Sequence, residues 1–230
     1  MSDITAVYYT ASFINERFAN KVRAQILKAI GDIPLISVSQ KPLDFGENIC
    51  IGDIGRKHLN IYKQALIGAK AAKTKYIALV EDDILYSPDH FMSHRPPSGV
   101  FAYNSSQWGI YTWTKPPVFS YKGRRNLYSM ISERDLFIEA MEERFKKWPD
   151  EDKIPLEHWA EPGKYEGKGH LGVTERPSQL FNTVISNVAF SHEEALSYLN
   201  LGNRKKLGDI RAYEIPYWGR AEDVVKLFKE

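Results

Sequence analysis

Cysteine is almost absent from this sequence of 230 residues, in which Cys50 is the single one. A lone cysteine excludes an internal disulfide framework and a zinc site built from several thiolates. No run of about 18 apolar residues occurs, so the sequence predicts no membrane-spanning helix. The amino terminus also lacks the basic start and the long apolar stretch of a signal peptide. These absences together predict a protein of a reducing compartment, the cytoplasm.

A strong charge of either sign is missing as well. The 31 basic and 29 acidic residues leave a formal net charge of +2, which is too small to indicate a nucleic-acid-binding protein by itself. Short basic clusters occur at residues 122–125, 144–147 and 204–206. Clusters of this size are typical of a solvated surface, although a partner that carries phosphate groups can also use them.

Several common functional motifs are also missing. There is no GxxxxGK followed by Ser or Thr, and no GxGxxG after the first predicted strand, which disfavours phosphate-loop NTPases and dinucleotide-dependent enzymes. Neither GxSxG nor HExxH is present, which disfavours nucleophile-elbow hydrolases and zinc proteases of that type. The composition, with 43% hydrophobic and 13% aromatic residues, is nevertheless that of a globular protein.

Three consecutive acids follow a short apolar run at residues 76–80. The run, YIALV, is typical of a strand covered on both faces, and Glu81, Asp82 and Asp83 come directly after it. Carboxylates crowded at the end of a buried strand repel one another unless a cation or hydrogen bonds offset the repulsion. Hard oxygen ligands at this position suit Mg²⁺ or Mn²⁺ shared with the phosphates of a substrate. A solvated acidic loop is the alternative interpretation.

The residues before this run predict a parallel α/β unit. Strands are predicted at residues 4–9 and 34–38, and amphipathic helices at 16–30 and 57–72. With the strand at 76–80 the order is βαβαβ, the signature of a doubly wound sheet, which binds ligands at the carboxyl ends of its strands. Residues 39–56 contain no clear period and are predicted to form a long functional loop.

The second half of the chain has a different pattern. Aromatic-rich strands are predicted at residues 100–103, 108–113 and 118–119, a helix from a capping box at Ser132 to residue 147, a loop at 148–179, a strand at 181–190, and a short terminal helix. The strand at 181–190 leads to His192, which we expect either to complete a metal site beside Asp83 or to lie on the surface at a helix cap. Strand alternation predicts that Glu81 and Asp83 face one side and Asp82 the other.

These segments resemble a glycosyltransferase of the GT-A fold, of the kind related to family-two enzymes and found in bacteria and their phages. The matching segments, in chain order, are SVSQKPLDFGENICIG, NIYKQALIGAKAAKTKYIALVEDDILYSPDHF, FAYNSSQW, AEPG, VISNVAFSH and IPYWG. The first two are the more specific. The resemblance implies a single α/β domain over residues 1–230, in which a Rossmann-type half with a mixed central sheet (1–90) binds a nucleotide sugar and metal, and an acceptor-side half with a carboxyl-terminal tail (91–230) completes the fold.

The resemblance also implies roles for particular residues. The Glu81-Asp82-Asp83 triplet stands in the place of the family's DxD motif, where Asp83 binds Mn²⁺ or Mg²⁺ and Glu81 faces the ribose or the waters of the metal. The first position of that motif is commonly Asp, so the glutamate departs from it. His192 takes the place of a late histidine that completes the metal shell. The residues expected to contact the nucleoside or the diphosphate of a UDP-sugar are Thr10, Ser12, Gln40, Asp44 and Arg56.

An inverting reaction additionally needs a base that takes a proton from the acceptor hydroxyl. Glu161 in the segment AEPG occupies roughly the position of the family's acceptor-side acid and is our candidate. Glu157 and His158 are neighbouring alternatives, and Glu161 can instead serve only to fix the loop. Without a base, the same scaffold can run a retaining reaction.

The acceptor is the least defined part of the function. The resemblance includes phage proteins, and phage enzymes of this build are similar to those that glycosylate hydroxymethylated pyrimidines in DNA. Such an enzyme needs a basic surface and aromatic side chains. The candidate residues for these contacts are Lys122, Arg124 and Arg125 beside Trp108, Tyr111 and Trp113, and the cluster at 204–206. Two alternatives stay open: the same chemistry on a saccharide, cell-surface or small-molecule acceptor, and a binding protein that keeps the fold without turnover.

Overall fold

A computed structural model describes residues 2–149, 161–164, 173–191 and 207–229. The elements follow one another as β1 (Ile4–Thr10), α1 (Glu16–Ile30), β2 (Leu35–Ser39), β3 (Glu47–Cys50), α2 (His58–Ala71), β4 (Tyr76–Glu81), β5 (Ile84–Leu85), α3 (Pro88–Met92), β6 (Phe101–Asn104), β7 (Gln107–Tyr111), β8 (Val118–Tyr121), a short 3-10 helix (Leu127–Ser129), β9 (Met130–Glu133), α4 (Arg134–Lys147), β10 (Ser178–Phe181), β11 (Asn187–Ser191), β12 (Arg211–Ala212), β13 (Glu214–Ile215), β14 (Gly219–Arg220) and α5 (Ala221–Lys229).

The main sheet has seven strands in the order β10-β6-β9-β4-β1-β2-β3. Strands β1, β2, β3 and β4 run parallel, which confirms the predicted βαβαβ unit. Strand β9 is antiparallel to both β4 and β6, so the sheet as a whole is mixed. The carboxyl ends of β1 and β4 therefore lie side by side at one edge of the sheet, where ligands bind in sheets of this type.

Helices cover both faces of the main sheet. Alternate residues of each strand point to opposite faces, so each strand contributes side chains to both clusters. On one face Tyr8 packs in a cluster with Phe18 of α1 and Phe228 of α5. On the other face Tyr9 packs in a cluster with Tyr62 of α2 and with residues of α4. The first five residues of β4 are uncharged because this arrangement buries them.

A second sheet of five strands, in the order β12-β8-β7-β11-β5, packs beside the first. Strand β5 begins directly after the acidic triplet and pairs with β11, and β11 in turn pairs in parallel with β7. The chain thus passes from the main sheet into the second sheet at the acids. Within the described part of the chain, every helix is too short or too polar to cross a membrane.

Three sequence-based expectations about these elements were wrong. The loop predicted at residues 39–56 contains the edge strand β3, whose half-exposed side chains give no apolar period. Ser132 does not cap α4: it lies in β9, pairs with Ile77, and is fully buried, while α4 begins after Glu133. The strand predicted at 181–190 is two strands, β10 and β11, which belong to different sheets.

Candidate active site

A pocket of about 300 Å³ lies where the carboxyl ends of β1 and β4 meet the second sheet. Its walls come from the end of β1, the start of α2, the turn after β4, strands β7 and β11, and the segment after β8. Six of the residues predicted for the donor, the metal or the base line it: Thr10, Arg56, Glu81, Asp82, Asp83 and Glu161. Residues far apart along the chain are therefore brought to one cavity.

Hydroxyl groups of β1 fix two of the three acids. Tyr9 lies opposite Glu81 in the parallel register, and its hydroxyl donates to Glu81 Oε1 at 2.7 Å. The next residue of β1, Thr10, donates its hydroxyl to Asp82 Oδ2. Burial raises the pKa of Tyr9, and the negative charge of Glu81 raises it further, so this phenol stays a hydrogen-bond donor.

The three acids share the pocket, contrary to the alternation expected from a continuous strand. Strand β4 ends at Glu81, and Asp82 and Asp83 form the turn that leads into β5. Alternation applies only while the backbone stays extended, so it does not separate Asp82 from the other two. The main-chain carbonyl of Asp83 accepts a hydrogen bond from the N–H of Phe190 at 2.9 Å.

The residues at this turn fit a divalent cation by their chemistry. Carboxylate oxygens are the hard ligands that Mg²⁺ and Mn²⁺ prefer, and such ions usually keep several water or phosphate ligands. Within the described ranges, no three His, Cys, Asp or Glu side chains form a group that could hold a metal ion. The expected partner of Asp83, His192, lies outside the described residues, although Ser191 immediately before it lines the pocket.

The start of α2 supplies positive charge to the same pocket. Arg56, Lys57 and His58 all line it, the side chain of Lys57 makes no capping hydrogen bond, and the first turn of α2 contains no acid. Main-chain N–H groups and the helix dipole at such an end favour an anion. The guanidinium of Arg56 also lies over the ring of Phe13, 4.5 Å from its centre.

Two buried amide side chains hold the loop that carries Arg56. Gln40 donates from Nε2 to the carbonyl of Gly55 at 2.8 Å and accepts from the N–H of Ile54 at 3.1 Å. Asn60 of α2 donates to the carbonyls of the same two loop residues. Gln40 does not line the pocket, so the structure gives it the position of a loop support behind Arg56.

Ser12 and Asp44, two of the residues expected at the nucleoside, do not line this pocket. Ser12 adopts a positive φ of 55° just after β1, and its N–H donates to the hydroxyl of Thr10 at 2.9 Å. Asp44 lies on an exposed part of the loop before β3. A contact of either residue with a nucleoside stays a prediction.

Glu161 stands among charged and aromatic neighbours. Its carboxylate pairs with Lys164 at 2.6 Å, and its side chain is 16% exposed. The hydroxyl of Tyr103 donates to the carbonyl of the next residue, Pro162, which ties this short segment to β6. Glu161 is also close enough to Arg144 for its charge to act on the pKa of that guanidinium, although burial is the larger influence and lowers it. The alternatives Glu157 and His158 lie outside the described residues.

Sequence reasoning missed Tyr9 and Gln64, which organise the pocket. Gln64 of α2 is buried and donates to the carbonyls of Thr10 and Val38, so it joins the ends of β1 and β2. The sequence does contain a pattern that indicates Gln64: it lies four residues after Asn60, a spacing that places both amides on the same face of a helix. Tyr9 has no comparable signal, because its contact with Glu81 depends on the strand register.

The comparisons with known proteins concern the fold. No protein-family model matches the sequence, and no curated protein matches it. A glycosyltransferase involved in the glycosylation of the major capsid of PBCV-1 is structurally similar, with 12% identity, a TM-score of 0.50, and coverage of 82% of this chain and 92% of that chain.

Two further solved structures are similar with TM-scores below 0.5. A Drosophila β1,4-galactosyltransferase 7 mutant in complex with manganese, UDP-Gal and xylobiose has 11% identity and a TM-score of 0.43, over 91% of this chain and 82% of that chain. A nucleotidyl transferase from Methanothermobacter has 14% identity and a TM-score of 0.39, over 62% of this chain and 76% of that chain. From the mixed central sheet and the similarity to the PBCV-1 enzyme, the chain has the α/β fold of the GT-A glycosyltransferases.

Proposed function

We propose that this protein is a metal-dependent glycosyltransferase that moves a sugar from a nucleoside diphosphate sugar to an acceptor hydroxyl. One observation carries the proposal: a single pocket at the carboxyl ends of β1 and β4 combines the acids at 81–83 with the cationic start of α2. A diphosphate needs positive charge, and a bridging cation needs carboxylates. The proposal is further supported by the GT-A fold and by the resemblance of the sequence segments to that family.

The donor binds over residues 1–90 in this proposal. Thr10 and the loop supported by Gln40 lie beside the nucleoside, with Ser12 and Asp44 as further contacts, and Arg56 faces the diphosphate. Asp83 and His192 are the ligands of Mn²⁺ or Mg²⁺, and Glu81 and Asp82 orient the donor from positions fixed by β1. When bound, the cation supplies positive charge that stabilises the leaving nucleoside diphosphate.

Glu161 is the proposed base. As the acceptor oxygen attacks the anomeric carbon of the sugar, its proton passes to the carboxylate of Glu161, and the bond from that carbon to the diphosphate oxygen breaks. Lys164 and Arg144 lie beside the carboxylate and balance its charge before the transfer. This arrangement inverts the configuration at the anomeric carbon, because attack and departure occur on opposite sides.

The proposed acceptor is a hydroxymethylated pyrimidine in DNA, modified in the cytoplasm, of the host cell if a phage encodes the protein. Lys122, Arg124 and Tyr111 line the pocket on the side of the second sheet, and positive charge with an aromatic ring suits a nucleic acid. A saccharide, cell-surface or small-molecule acceptor is the alternative, and a binding protein without turnover is the rival from a different class.

A donor screen with Mn²⁺ separates these functions. A ligand that binds only the native state raises the melting temperature by mass action, so a UDP-sugar with Mn²⁺ is expected to raise it and the same sugar with EDTA is not. Released UDP is then measured with plain and with hydroxymethylated DNA. Release that depends on the hydroxymethyl group supports the DNA acceptor. Binding without release contradicts the DNA acceptor and is expected of both the alternative acceptors and the binding protein, and no binding of any nucleotide sugar contradicts the proposal.

A further inference from the structure

Residues 122–125, here called the basic loop, bring two cations into the pocket from the second sheet. Lys122 and Arg124 line the pocket, whereas the guanidinium of Arg125 donates to the hydroxyl of Ser178 at 2.9 Å, on β10 of the main sheet, and does not line it. The loop follows β8, while Arg56, the cation proposed at the donor diphosphate, lies just before α2. Positive charge thus enters the pocket on two separate elements.

A fully buried glutamine holds the basic loop in place. The carbonyl of Gln107 accepts from the N–H of Lys122 at 2.9 Å, and its side-chain Nε2 donates to the carbonyl of Arg124 at 2.7 Å. Its Oε1 accepts from Asn126 and from the hydroxyl of Tyr128, each at 2.7 Å. Because one buried residue satisfies four groups around the loop, three with its side chain and one with its main-chain carbonyl, the two cations are presented by a preorganised backbone.

Neighbouring residues also fix the position of the Lys122 side chain. It passes over Gly109, where a Cβ atom would come within 3.0 Å of Lys122 Cε, and its ammonium donates to the hydroxyl of Tyr111. The absence of a side chain at Gly109 thus leaves the space that the lysine occupies beside the pocket. Burial lowers the pKa of Lys122, and the neighbouring charge of Arg124 lowers it further. Lys122 is partly withdrawn from water beside the exposed cation Arg124, so a bound anion offsets both its desolvation and the repulsion between the two charges.

We propose that Lys122 and Arg124 form a binding site for a backbone phosphate of a single-stranded nucleic acid acceptor, separate from the site of the donor diphosphate. The assignment rests on the proposed function, and it names the residues that place the acceptor. The phosphate lies on the basic loop, and the adjacent nucleotide enters the pocket toward the acids and Glu161.

An aromatic side chain next to this site favours a nucleic acid over other phosphate-bearing polymers. Trp113 is 45% exposed, and its ring packs edge-on against Tyr111, with 5.6 Å between the ring centres. Exposed indole rings beside a cationic groove are platforms on which bases stack, whatever their sequence. A polyol phosphate has no base and does not use Trp113.

The test is the binding of a fluorescein-labelled oligothymidylate to protein saturated with UDP and Mn²⁺, followed by fluorescence anisotropy. Lys122→Ala and Arg124→Ala are each expected to weaken binding about tenfold and to reduce the slope of log affinity against log salt by about one. Arg125→Ala is the matched control and is expected to leave affinity within twofold, because this guanidinium points away from the pocket. Trp113→Ala is expected to weaken binding at least about fivefold.

Other outcomes overturn the site. If Lys122→Ala and Arg124→Ala weaken UDP binding as much as oligothymidylate binding, the two cations belong to the donor diphosphate. If Arg125→Ala weakens oligothymidylate binding as much as Lys122→Ala and Arg124→Ala do, the oligonucleotide is attracted by the general surface charge and not by a specific site. If poly(glycerol phosphate) displaces the oligonucleotide with equal affinity and Trp113→Ala has no effect, the polymer bound is a polyol phosphate. Binding of UDP to the parent is measured first, so a failure of the proposed function is recognised independently.

Discussion

The main-chain N–H of Phe190 donates to the carbonyl oxygen of Asp83 at 2.9 Å. This bond joins the acidic turn after β4 to the end of β11, the strand that leads toward His192. Pairing of Ala189 with Ile84 and of Val188 with Leu85 extends the contact. Because these contacts use the main chain, replacing the carboxylate of Asp83 leaves these hydrogen bonds between the two sheets in place.

Replacement of that carboxylate therefore tests the metal site. Asp83→Asn is expected to abolish Mn²⁺-dependent binding of UDP in a calorimetric titration, because the amide lacks the negative charge that holds a divalent cation. The circular dichroism spectrum and the melting temperature without ligand are expected to stay near those of the parent. Asp135→Asn, at an exposed position on α4, is the control. Parent-like UDP binding by Asp83→Asn would rule out this metal site.

Glu161 is tested by separating turnover from donor binding. Glu161→Gln keeps the size of the side chain and removes the proton acceptor, so kcat is expected to fall about 10²- to 10⁴-fold while the Kd of the donor stays nearly constant. Lys164→Gln removes the ion pair of Glu161 and leaves the carboxylate, and it serves as the control for the structure of the segment. If Glu161→Gln turns over at the parent rate, another group is the base.

The first half of the fold was predictable because its signals are local. Helix α1 begins and ends where its apolar spacing predicts, and the side chain of Asn15 accepts from the main-chain N–H groups of Arg17 and Phe18 at its start. Strand β4 extends the predicted strand by one residue, Glu81. Capping and periodicity within one element carry this information.

The other parts of the fold and of the site could not be predicted from the sequence, because they depend on contacts between distant segments. Strand β9 is four residues long and forms only between β4 and β6, so nothing in its own residues separates it from the start of a helix. The bond between Tyr9 and Glu81 requires the register of two strands. The resemblance implies that Gln40 contacts the nucleoside, which stays a prediction, whereas the hydrogen bonds of its amide with Ile54 and Gly55 join segments that no local pattern connects.

The support that Gln40 gives to the loop carrying Arg56 can be tested by measuring the unfolding free energy and the affinity for the donor. Gln40→Ala leaves the N–H of Ile54 and one acceptor of Gly55 without this partner, which is expected to cost about 1–3 kcal/mol of unfolding free energy. Arg56 is then less well positioned, and donor affinity is expected to fall several-fold. Lys41→Ala, at an exposed neighbouring position, is expected to change neither quantity. Unaltered stability and affinity in Gln40→Ala would contradict a supporting role.

The lowered pKa of Lys122 predicts how nucleic acid binding depends on pH. Burial and the charge of Arg124 favour the neutral amine, so its positive charge is lost at a lower pH than that of an ordinary lysine. Oligothymidylate binding is expected to weaken as pH rises above neutrality toward 10. Lys122→Arg is expected to keep its affinity over this range, because a guanidinium stays charged. Parallel decline of the parent and Lys122→Arg in anisotropy titrations would assign the loss of affinity to another group.

His90 links the stability of the fold to pH. Its ring is fully buried against Tyr86, Phe91 and Phe181, its Nδ1 lies 3.3 Å from Asn104 Nδ2, and burial lowers its pKa to about 3. Since the folded pKa lies below the unfolded one, protonation favours unfolding, and stability decreases as pH falls below about 6.5.

Between pH 6.5 and 5, His90 alone is expected to make the free energy of unfolding fall with decreasing pH. The slope approaches about 1.4 kcal/mol per pH unit. His90→Phe keeps an aromatic ring in the cluster and is expected to remove that slope, whatever its effect on stability at pH 7. His94 is only partly buried and remains in the variant, so it gives the smaller residual slope. Urea unfolding at several pH values measures the difference. Equal slopes for the parent and His90→Phe would show that His90 is accessible to protons in the folded protein.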